Sequence, residues 1–328
     1  MKLTRALLVL GAAGAISASA APAYALPATA TGWAQAFKAQ PVYGDGMASC
    51  DLGSGRRVFV TGDAVPRDGS AWAHSTITVA SGSTARVLRP GYAGVSPYQV
   101  IPAEPGGWHW LGPCAAVNGR LFVLAPRVAP TAEWPYFVSV GNDLAVFRYT
   151  ATTDPVFERV VSVPATGGVA WSAGLTATGG YLWAFGSSTT ATDGWTGHDV
   201  YAARVAPSVA TSPAAWRGWT GAGYGVVSKS VPVLTGPRDG GTETVVSVAR
   251  LGGVWKMTSR LGGAWGSGAV AEWSTPALGK PWTRSTIATV PDNAYIAWKH
   301  YGVMLADGRV PLTYNTPGTD ATWTSVAP

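Results

Sequence analysis

Apolar residues in this chain occur in short runs, and pairs of these runs are joined by polar turns that contain glycine. Five segments repeat this pattern, and the glycines that precede each second run are 64, 61, 61 and 67 residues apart. An evenly spaced β-hairpin indicates a structural repeat. The segments are CDLGSGRRVFVTGD, CAAVNGRLFVLAPR, GLTATGGYLWAFGS, VPVLTGPRDGGTETVVSVAR and GVMLADGRVPLTYN, with turn glycines Gly55, Gly119, Gly180, Gly241 and Gly308.

Further β-prone runs lie between these hairpins, among them STITVAS, DLAVFRY, DVYAARV and VWKMTSR. One hairpin and two more strands per repeat predict an all-β, five-bladed β-propeller with four-stranded antiparallel blades. Closing the sheets into a ring also removes the unpaired edges of an open sheet. Two β-sandwich domains are the alternative, but they do not explain the even spacing. No stretch shows helical periodicity of useful length.

The first 25 residues have the features of a secretion signal. Lys2 and Arg5 precede a short apolar core, and Ala23-Tyr24-Ala25 fits an A-x-A cleavage site. The core is too short to span a membrane, and no later apolar run reaches spanning length. We therefore expect a secreted, extracellular protein. Its parts are a signal peptide at 1–25, an N-terminal segment at 26–39 and a propeller catalytic domain at 40–328.

Composition excludes several classes of function. Only 12% of the 328 residues are charged, and loss of Lys2 and Arg5 with the signal lowers the formal net charge from +6 to +4. Without a block of basic residues, nucleic acid is not an expected partner. The four histidines form no zinc motif, and no phosphate-binding loop occurs, so no metal and no cofactor are expected.

The two cysteines occupy equivalent places in the first two repeats. Cys50 lies five residues before Gly55, and Cys114 lies five residues before Gly119. The first strands of neighbouring blades crowd together near the propeller axis, so a Cys50–Cys114 disulfide is geometrically reasonable. Secretion favours the disulfide, and two free buried thiols are the alternative.

Two aspartates frame the first hairpin, GDGMASCDLGSGRRVFVTGDA. If the chain turns around Ser54, the residue numbers of two facing residues sum to 108. Asp45 then lies opposite Asp63 at the open end of the hairpin. Facing side chains on paired strands are ~5 Å apart at Cβ, so repulsion should raise one carboxyl pKa. Separated pKa values suit an acid–base pair for glycosidic cleavage. Alternatively, Asp45 is a turn residue and Asp63 ends a strand; Asp51, near the hairpin tip, reads as a turn residue.

The same alignment places other polar residues at that face of the ring. A sugar site needs such groups to bind hydroxyls and an indole for stacking. Ordinary polar strand ends are the alternative for each of them. The predicted substrate-binding residues there are His109, Arg127, Trp171, Ser188, His300 and Asn315, with Arg250 and Lys299 nearby. Trp108, Trp110, Trp134 and Trp195 are loop indoles that could stack on sugars, whereas Trp183 reads as core.

The first hairpin resembles the first-blade signature of domain-of-unknown-function family 4185, in which D-G-x-x-S-x-x-L-x-x-G-R leads to F-G-D. Further segments are similar to family motifs in the same order across about 40–317, including HWLGPCAAVNGRLFVLAPRV, WSAGLTATGGYLWAFGS, STPALGKPW and HYGVMLADGRVPLTYN. This chain departs from the family motifs at Ala64, at Gly302, where the family carries a carboxylate, and in the segment HSTITVAS. His74 in that last segment is a further predicted substrate-binding residue.

That family is similar to five-bladed hydrolases of arabinans, and some members belong to glycoside hydrolase family 183, the endo-D-arabinanases. The resemblance implies that Asp45 and Asp63 match the catalytic carboxylate pair. We expect a monomeric, secreted endo-acting glycoside hydrolase of furanosidic polysaccharide, first of all the D-arabinan of mycobacterial-type arabinogalactan and lipoarabinomannan.

For the mechanism we expect inversion, with Asp45 as base and Asp63 as acid, because Asp63 follows the apolar run VFV and should be more buried. A lectin-like propeller that binds glycan without cutting it is the main alternative. A sialidase-like or family 43-type hydrolase of another sugar is a third, although the Asp-box S-x-D-x-G-x-x-W is absent.

Overall fold

A computed structural model describes residues 29–102, 104–133, 136–163, 168–189, 197–236, 240–262, 268–317 and 320–328. Within these ranges the chain forms five main antiparallel sheets, which follow one another along the sequence, and one two-stranded ribbon. The prediction of an all-β, five-bladed propeller is confirmed. The predicted signal peptide at 1–25 lies outside the described residues.

The first sheet and its ribbon contain β1 (Val42–Gly44), β2 (Ala48–Gly53), β3 (Arg56–Thr61), β4 (Ala64–Pro66), β5 (Thr76–Ser81) and β6 (Thr84–Val87). The second contains β7 (Trp108–His109), β8 (Cys114–Val117), β9 (Arg120–Pro130), β10 (Phe137–Arg148) and β11 (Val156–Ser162). The third contains β12 (Ala170–Thr178), β13 (Tyr181–Thr189), β14 (His198–Val205), β15 (Arg217–Trp219) and β16 (Tyr224–Gly225). The fourth contains β17 (Ser247–Leu251), β18 (Val254–Arg260), β19 (Ala269–Thr275) and β20 (Thr283–Thr289). The fifth contains β21 (Tyr295–Lys299), β22 (Val310–Asn315) and β23 (Thr322–Val326).

The blades share a four-stranded plan with local variation. The first and fourth sheets have the strand orders β2-β3-β5-β6 and β17-β18-β19-β20, as predicted. The second and third each include a fifth, two-residue strand, β7 and β16 respectively. The fifth sheet has three strands among the described residues.

A helix that the sequence did not reveal packs beside the fifth blade. The helix α1 (Ala30–Lys38) begins at Thr29, whose Oγ1 accepts a hydrogen bond from the Gly32 N–H at 3.0 Å. Trp33 is 1% exposed and stacks on Trp323 of β23 with ring centroids 5.6 Å apart. One buried indole per short helix gives too weak a periodicity to detect, because tertiary packing stabilises the helix. Short 3-10 turns among the described residues include Pro207–Val209, Pro213–Ala215 and Val227–Lys229.

The innermost strands close into a ring around the axis. Neighbouring members β2, β8, β12 and β17 contact one another in sequence. Ser247 of β17 donates its hydroxyl hydrogen bond to the Lys299 carbonyl of β21. Ser49 of β2 bonds His300, just after β21, at 2.8 Å, which joins the last blade to the first.

Beyond a register shift between Asp51 and Gly53, the pairing of the first hairpin has the predicted sum of 108. The turn lies at Ser54 and Gly55, whose φ angles are 54° and 70°, as a type I′ turn requires. From Ala48, which faces Val60, the pairing continues past a short break to Gly44, which faces Ala64.

One member of the predicted repeat is wrong. Gly241 does not form the first hairpin turn of the fourth blade, which lies instead at Gly252 and Gly253 between β17 and β18. The main chain around Gly241 pairs instead with the start of β14, through hydrogen bonds between His198 and Thr242. The GG dipeptides at 240–241 and 252–253 carry the same local turn signal, so spacing alone selected the wrong one.

The Cys50–Cys114 disulfide is confirmed and links β2 to β8 with their Cα atoms 5.8 Å apart. It closes a 64-residue separation, so we expect its loss to lower the free energy of unfolding by about 4 kcal/mol. Urea unfolding of the oxidised protein and of a Cys50→Ala/Cys114→Ala variant measures this difference. Dithiothreitol should destabilise the oxidised protein and leave the variant unchanged. Equal unfolding midpoints for the two proteins without dithiothreitol would contradict the expectation.

Candidate active site

Asp45 and Asp63 face each other at the open end of the first hairpin. The Asp45 N–H donates to the Asp63 carbonyl at 3.0 Å, and the Gly62 N–H donates to the Asp45 carbonyl at 3.2 Å. Both residues line one pocket of about 380 Å³ at this end of the propeller axis. The structure therefore places both carboxylates in one cleft, as the hairpin register predicts.

The Asp45 carboxyl lies in an environment that disfavours its charge. Burial is the largest cause, and the negative charge of Asp63 is the second; together they raise the Asp45 pKa from 3.8 to about 7. Asp45 is therefore the member of the pair that keeps its proton close to neutral pH. A carboxylic acid in this state can donate a proton, as a general acid must.

Asp63 lies in a polar environment. Its side chain is 30% exposed, and its Oδ1 accepts a hydrogen bond from the Trp110 indole Nε1 at 2.6 Å. The same oxygen lies 2.7 Å from His74 Nδ1, which donates when Asp63 is ionised. We expected desolvation at Asp63, whereas burial raises the pKa of Asp45 and two donors lie within hydrogen-bond distance of Asp63 Oδ1.

Close backbone packing holds the two aspartates in position. A Cβ atom on Gly44 would lie 2.7 Å from the Asp63 carbonyl oxygen, and one on Gly62 would lie 3.3 Å from Asp45 Oδ1. Asn315, which is 1% exposed, donates from Nδ2 to the Gly44 carbonyl at 3.2 Å. Asn315 therefore supports the strand that leads into Asp45 and does not line the pocket.

Tyr295 is a member of the site that the sequence did not reveal. It lines the pocket at the start of β21, and burial, followed by the charges of Asp45 and Asp63, raises its pKa. Next to it, Ile296 has a φ of 50°, which is a strained backbone conformation for a β-branched residue. The Ile296 N–H donates to Oε1 of the buried Glu243 at 3.0 Å. A Y-I dipeptide carries no local signal for this geometry.

Most of the other predicted binding residues lie outside the pocket lining. Trp171 is 2% exposed and belongs to the core between the second and third blades. His109 is 3% exposed, and its Nε2 is 3.0 Å from Asp143 Oδ2. Arg127 approaches the same Asp143 oxygen at 3.8 Å. His109, Arg127 and Asp143 therefore form a polar cluster within the second blade and do not line the cleft.

Strand parity explains why Ser188 is not at the site. Ser187, not Ser188, lines the pocket, because successive residues of β13 point to opposite faces. His300 is 1% exposed and hydrogen-bonds to Ser49 and Thr313. Lys299 and Arg250 line a different cavity, at the opposite end of the inner strands.

Two of the loop indoles do lie at the site. Trp110 lines the pocket, and its ring packs edge-on against Phe137 at 4.6 Å between centroids. Trp108 stacks on the His74 imidazole at 4.5 Å. Trp134 and Trp195 lie outside the described residues, and Trp183, 5% exposed, is core as predicted.

The walls of the pocket are mostly apolar. Polar side chains among its lining are the two aspartates, Ser172, Ser187, Thr244 and Tyr295. Apolar side chains include Trp110, Leu111, Pro113, Phe137, Val245 and Ile296. An apolar cleft with a few converging polar groups is the usual form of a small-molecule or sugar site.

The indole of Trp110 provides a direct test of the role of Asp63. A hydrogen bond to a charged group contributes about 1.5–3 kcal/mol, so if the site is catalytic, Trp110→Phe should lower kcat/KM by about 10- to 100-fold. Trp108→Phe is the matched control, because the Trp108 indole N–H has no hydrogen-bond partner among the described residues. We expect the control to stay within about threefold of the parent. Equal losses in the two variants would contradict a specific role for the Trp110–Asp63 bond.

The described residues contain no group of three or more metal-ligating side chains suited to an ion. Among the same residues, no helix is long and apolar enough to cross a membrane.

Several solved structures share this fold. A Bacteroides ovatus protein provisionally called a hydrolase aligns with a TM-score of 0.64 at 12% identity, over 91% of this chain and 89% of that protein. The Bacteroides ovatus xyloglucan PUL protein GH43B aligns at 0.55 and 10% identity, over 87% of this chain and 52% of that one. A GH43_1 enzyme from Xanthomonas citri aligns at 0.52 and 12% identity, over 87% and 88%.

At these identities the likeness establishes the propeller fold and leaves function to be argued from the site. No protein-family model matches the chain, and no curated protein matches it in sequence. The resemblance to family 4185 therefore enters only the proposal that follows.

Proposed function

We propose that this protein is a glycoside hydrolase in which Asp45 is the general acid and Asp63 the general base. The observation that carries the proposal is a facing carboxyl pair in one pocket, with the pKa of Asp45 raised to about 7 and Asp63 held by two hydrogen-bond donors. Two carboxyl groups in separate environments are the arrangement that glycosidic cleavage uses.

In the proposed reaction, the Asp45 carboxyl donates its proton to the glycosidic oxygen as the bond to the anomeric carbon breaks. Asp63 removes a proton from a water molecule, whose oxygen forms the new bond to that carbon. Trp110 and His74 orient Asp63 through its Oδ1 atom. Attack by water from the opposite face of the sugar gives inversion at the anomeric carbon.

The proposed substrate is a furanosidic polysaccharide cut within the chain, with D-arabinan of mycobacterial-type arabinogalactan or lipoarabinomannan as the first choice. The resemblance to the arabinan hydrolases supports this choice. We further propose a secreted monomer whose propeller at 40–328 is the catalytic domain.

Reducing-end release from a panel of arabinans, xylans and galactans tests the proposal. We expect release from D-arabinan as internal fragments, and proton NMR of the first products should show the inverted anomer. Binding of arabinan without any release would support a lectin-like propeller and contradict the proposal. Release from xylan or galactan alone would support glycoside hydrolase activity but contradict arabinan as the substrate.

The pH dependence of the proposed enzyme follows from Asp45. A general acid must be protonated, so kcat/KM should fall as the pH rises through about 7, approaching tenfold per unit at higher pH. Initial rates on D-arabinan between pH 5 and 9 measure this limb. Constant kcat/KM up to pH 9 would contradict the assignment of Asp45 as the acid.

A further inference from the structure

A second cavity, of about 280 Å³, lies at the other end of the inner strands from the carboxylate pair. Along β2, Ala48 lines the aspartate pocket, whereas Ser49 and Asp51 line the second cavity. Residues from the inner strands of all five blades contribute to its wall. The sequence-based alignment placed Arg250 and Lys299 beside the aspartates, but both side chains line this distant cavity.

The wall of this cavity contains a buried cation without a carboxylate partner. Arg57 is 4% exposed, and no carboxylate oxygen of the described residues lies within 4.0 Å of its guanidinium nitrogens. It donates to Ser49 Oγ at 3.0 Å and to the Tyr301 carbonyl at 3.4 Å. A guanidinium has five N–H groups, so most of them are left for another acceptor. Burying a charge without a contact ion pair is costly, and burial lowers the Arg57 pKa to about 10 although the charge of Asp51 opposes this.

The surrounding groups orient Arg57 and keep the cavity positive. His300 is buried and its pKa is lowered, so its neutral Nδ1 accepts from the Ser49 hydroxyl, whose oxygen accepts from Arg57. The charge of Lys299 is offset by Glu272, whose Oε2 is 2.7 Å from Nζ. Arg250 lines the cavity at its exposed side.

Negative charge at the cavity wall comes from a single side chain of the described lining. Asp51 lies near enough to Arg57 to interact electrostatically, and its Oδ1 accepts from the Gly53 N–H at 2.7 Å. Two arginines thus outnumber one aspartate around a space large enough for a small ion with water. We propose that this cavity binds a small oxyanion of the phosphate or sulfate class, held by Arg57 and assisted by Arg250.

The position of the cavity gives the bound oxyanion a structural consequence. Arg57 belongs to the first blade, and its acceptor Tyr301 follows β21 of the last blade. These are the two blades that the chain must join to close the ring, and hydrogen bonds such as Ser49 to His300 connect them. An oxyanion bound to Arg57 would neutralise the cation at this closure and stabilise the folded ring by mass action.

Thermal unfolding of the whole mature chain tests the proposal, with sodium phosphate or sulfate titrated against chloride at constant ionic strength. We expect a saturable rise in Tm of several degrees with either oxyanion. Arg57→Gln should abolish the rise, and Arg250→Gln should shift its midpoint to at least fivefold higher concentration. Arg86→Gln is the matched control, because Arg86 is 65% exposed at its side chain and pairs with Asp154 outside the cavity; it should respond like the parent.

Equal Tm values in oxyanion and chloride, or an Arg57→Gln variant that responds like the parent, would overturn the proposal. If Arg57→Gln does not fold, phosphorus NMR of inorganic phosphate with the parent and with Arg250→Gln decides. Saturable broadening that is weaker in Arg250→Gln supports the site, and its absence in the parent overturns it. Ribose 5-phosphate in place of inorganic phosphate then distinguishes an oxyanion carried on a sugar from a free ion; either form supports the site.

Discussion

Asp63→Asn is expected to lower kcat on D-arabinan by about 10³-fold, because the amide cannot take a proton from the attacking water. Asparagine keeps the size of the side chain and can still accept from the Trp110 indole, so binding should change little. Initial rates of reducing-end release measure the effect. Asp51→Asn is the control, since Asp51 lies at the hairpin tip, away from the pocket, and its variant should retain the parental kcat.

Asp45→Asn should lose a similar factor on arabinan but show a different substrate dependence. A general acid is needed only when the leaving group must be protonated, so this variant should recover most of its rate on aryl arabinofuranosides with acidic phenols. Asp63→Asn should not recover on these substrates, because water still needs a base. The opposite pattern would assign the acid to Asp63, and normal turnover by both variants would contradict the carboxylate mechanism.

Asp45→Asn is also expected to stabilise the fold above neutral pH. The folded pKa of about 7 exceeds the unfolded value of 3.8, so the folded state binds the Asp45 proton more tightly. Stability from this group is present below about pH 4 and is lost as the pH rises through about 7. This difference between the folded and unfolded pKa values corresponds to about 4 kcal/mol of folding free energy. The parent loses it at high pH, whereas the asparagine variant, which has no charge at this position, does not.

Urea unfolding at pH 4 and pH 8 measures this difference. The variant should match the parent at pH 4 and exceed it at pH 8. A difference that is the same at both pH values would show that the substitution acts through packing rather than through the charge.

The sequence predicted the aspartate pair because a hairpin register depends on local turn chemistry. Ser54 and Gly55 form the turn, a register shift between Asp51 and Gly53 changes the sum by one, and the facing pairs from Asp51 and Arg57 out to Asp45 and Asp63 then follow by counting. The disulfide was predictable for the same reason, since it needed only the equivalent positions of Cys50 and Cys114.

The chemical roles within the pair could not be read from the sequence. The apolar run before Asp63 suggested burial, but Trp110 and His74 come from other segments and place donors on that carboxylate. Desolvation depends on which groups pack around a side chain in three dimensions. Tyr295 was missed for the same reason, because it reaches the pocket from the last blade.

The residues that were wrongly assigned to the cleft failed on strand direction and parity. Trp171 and Ser188 lie at the correct end of their strands, but Trp171 points into the core and the neighbouring Ser187 lines the pocket. One residue of register reverses the face of a strand. Arg250 and Lys299 failed on height instead, because the fourth-blade turn lies at Gly252 and Gly253 and Lys299 ends its strand at the opposite end from the aspartates.

Asp45 and Asp63 form an electrostatically coupled pair in which Asp45 retains its proton close to neutral pH. Carbon-13 NMR titration of the aspartate carboxyl groups, in the parent and in Asp63→Asn, measures this claim most directly. We expect the Asp45 carboxyl to titrate at about 7 in the parent and at a lower pH in Asp63→Asn, because the Asp63 charge is one cause of the raised pKa. An Asp45 carboxyl that titrates near 3.8 in both proteins would contradict this expectation.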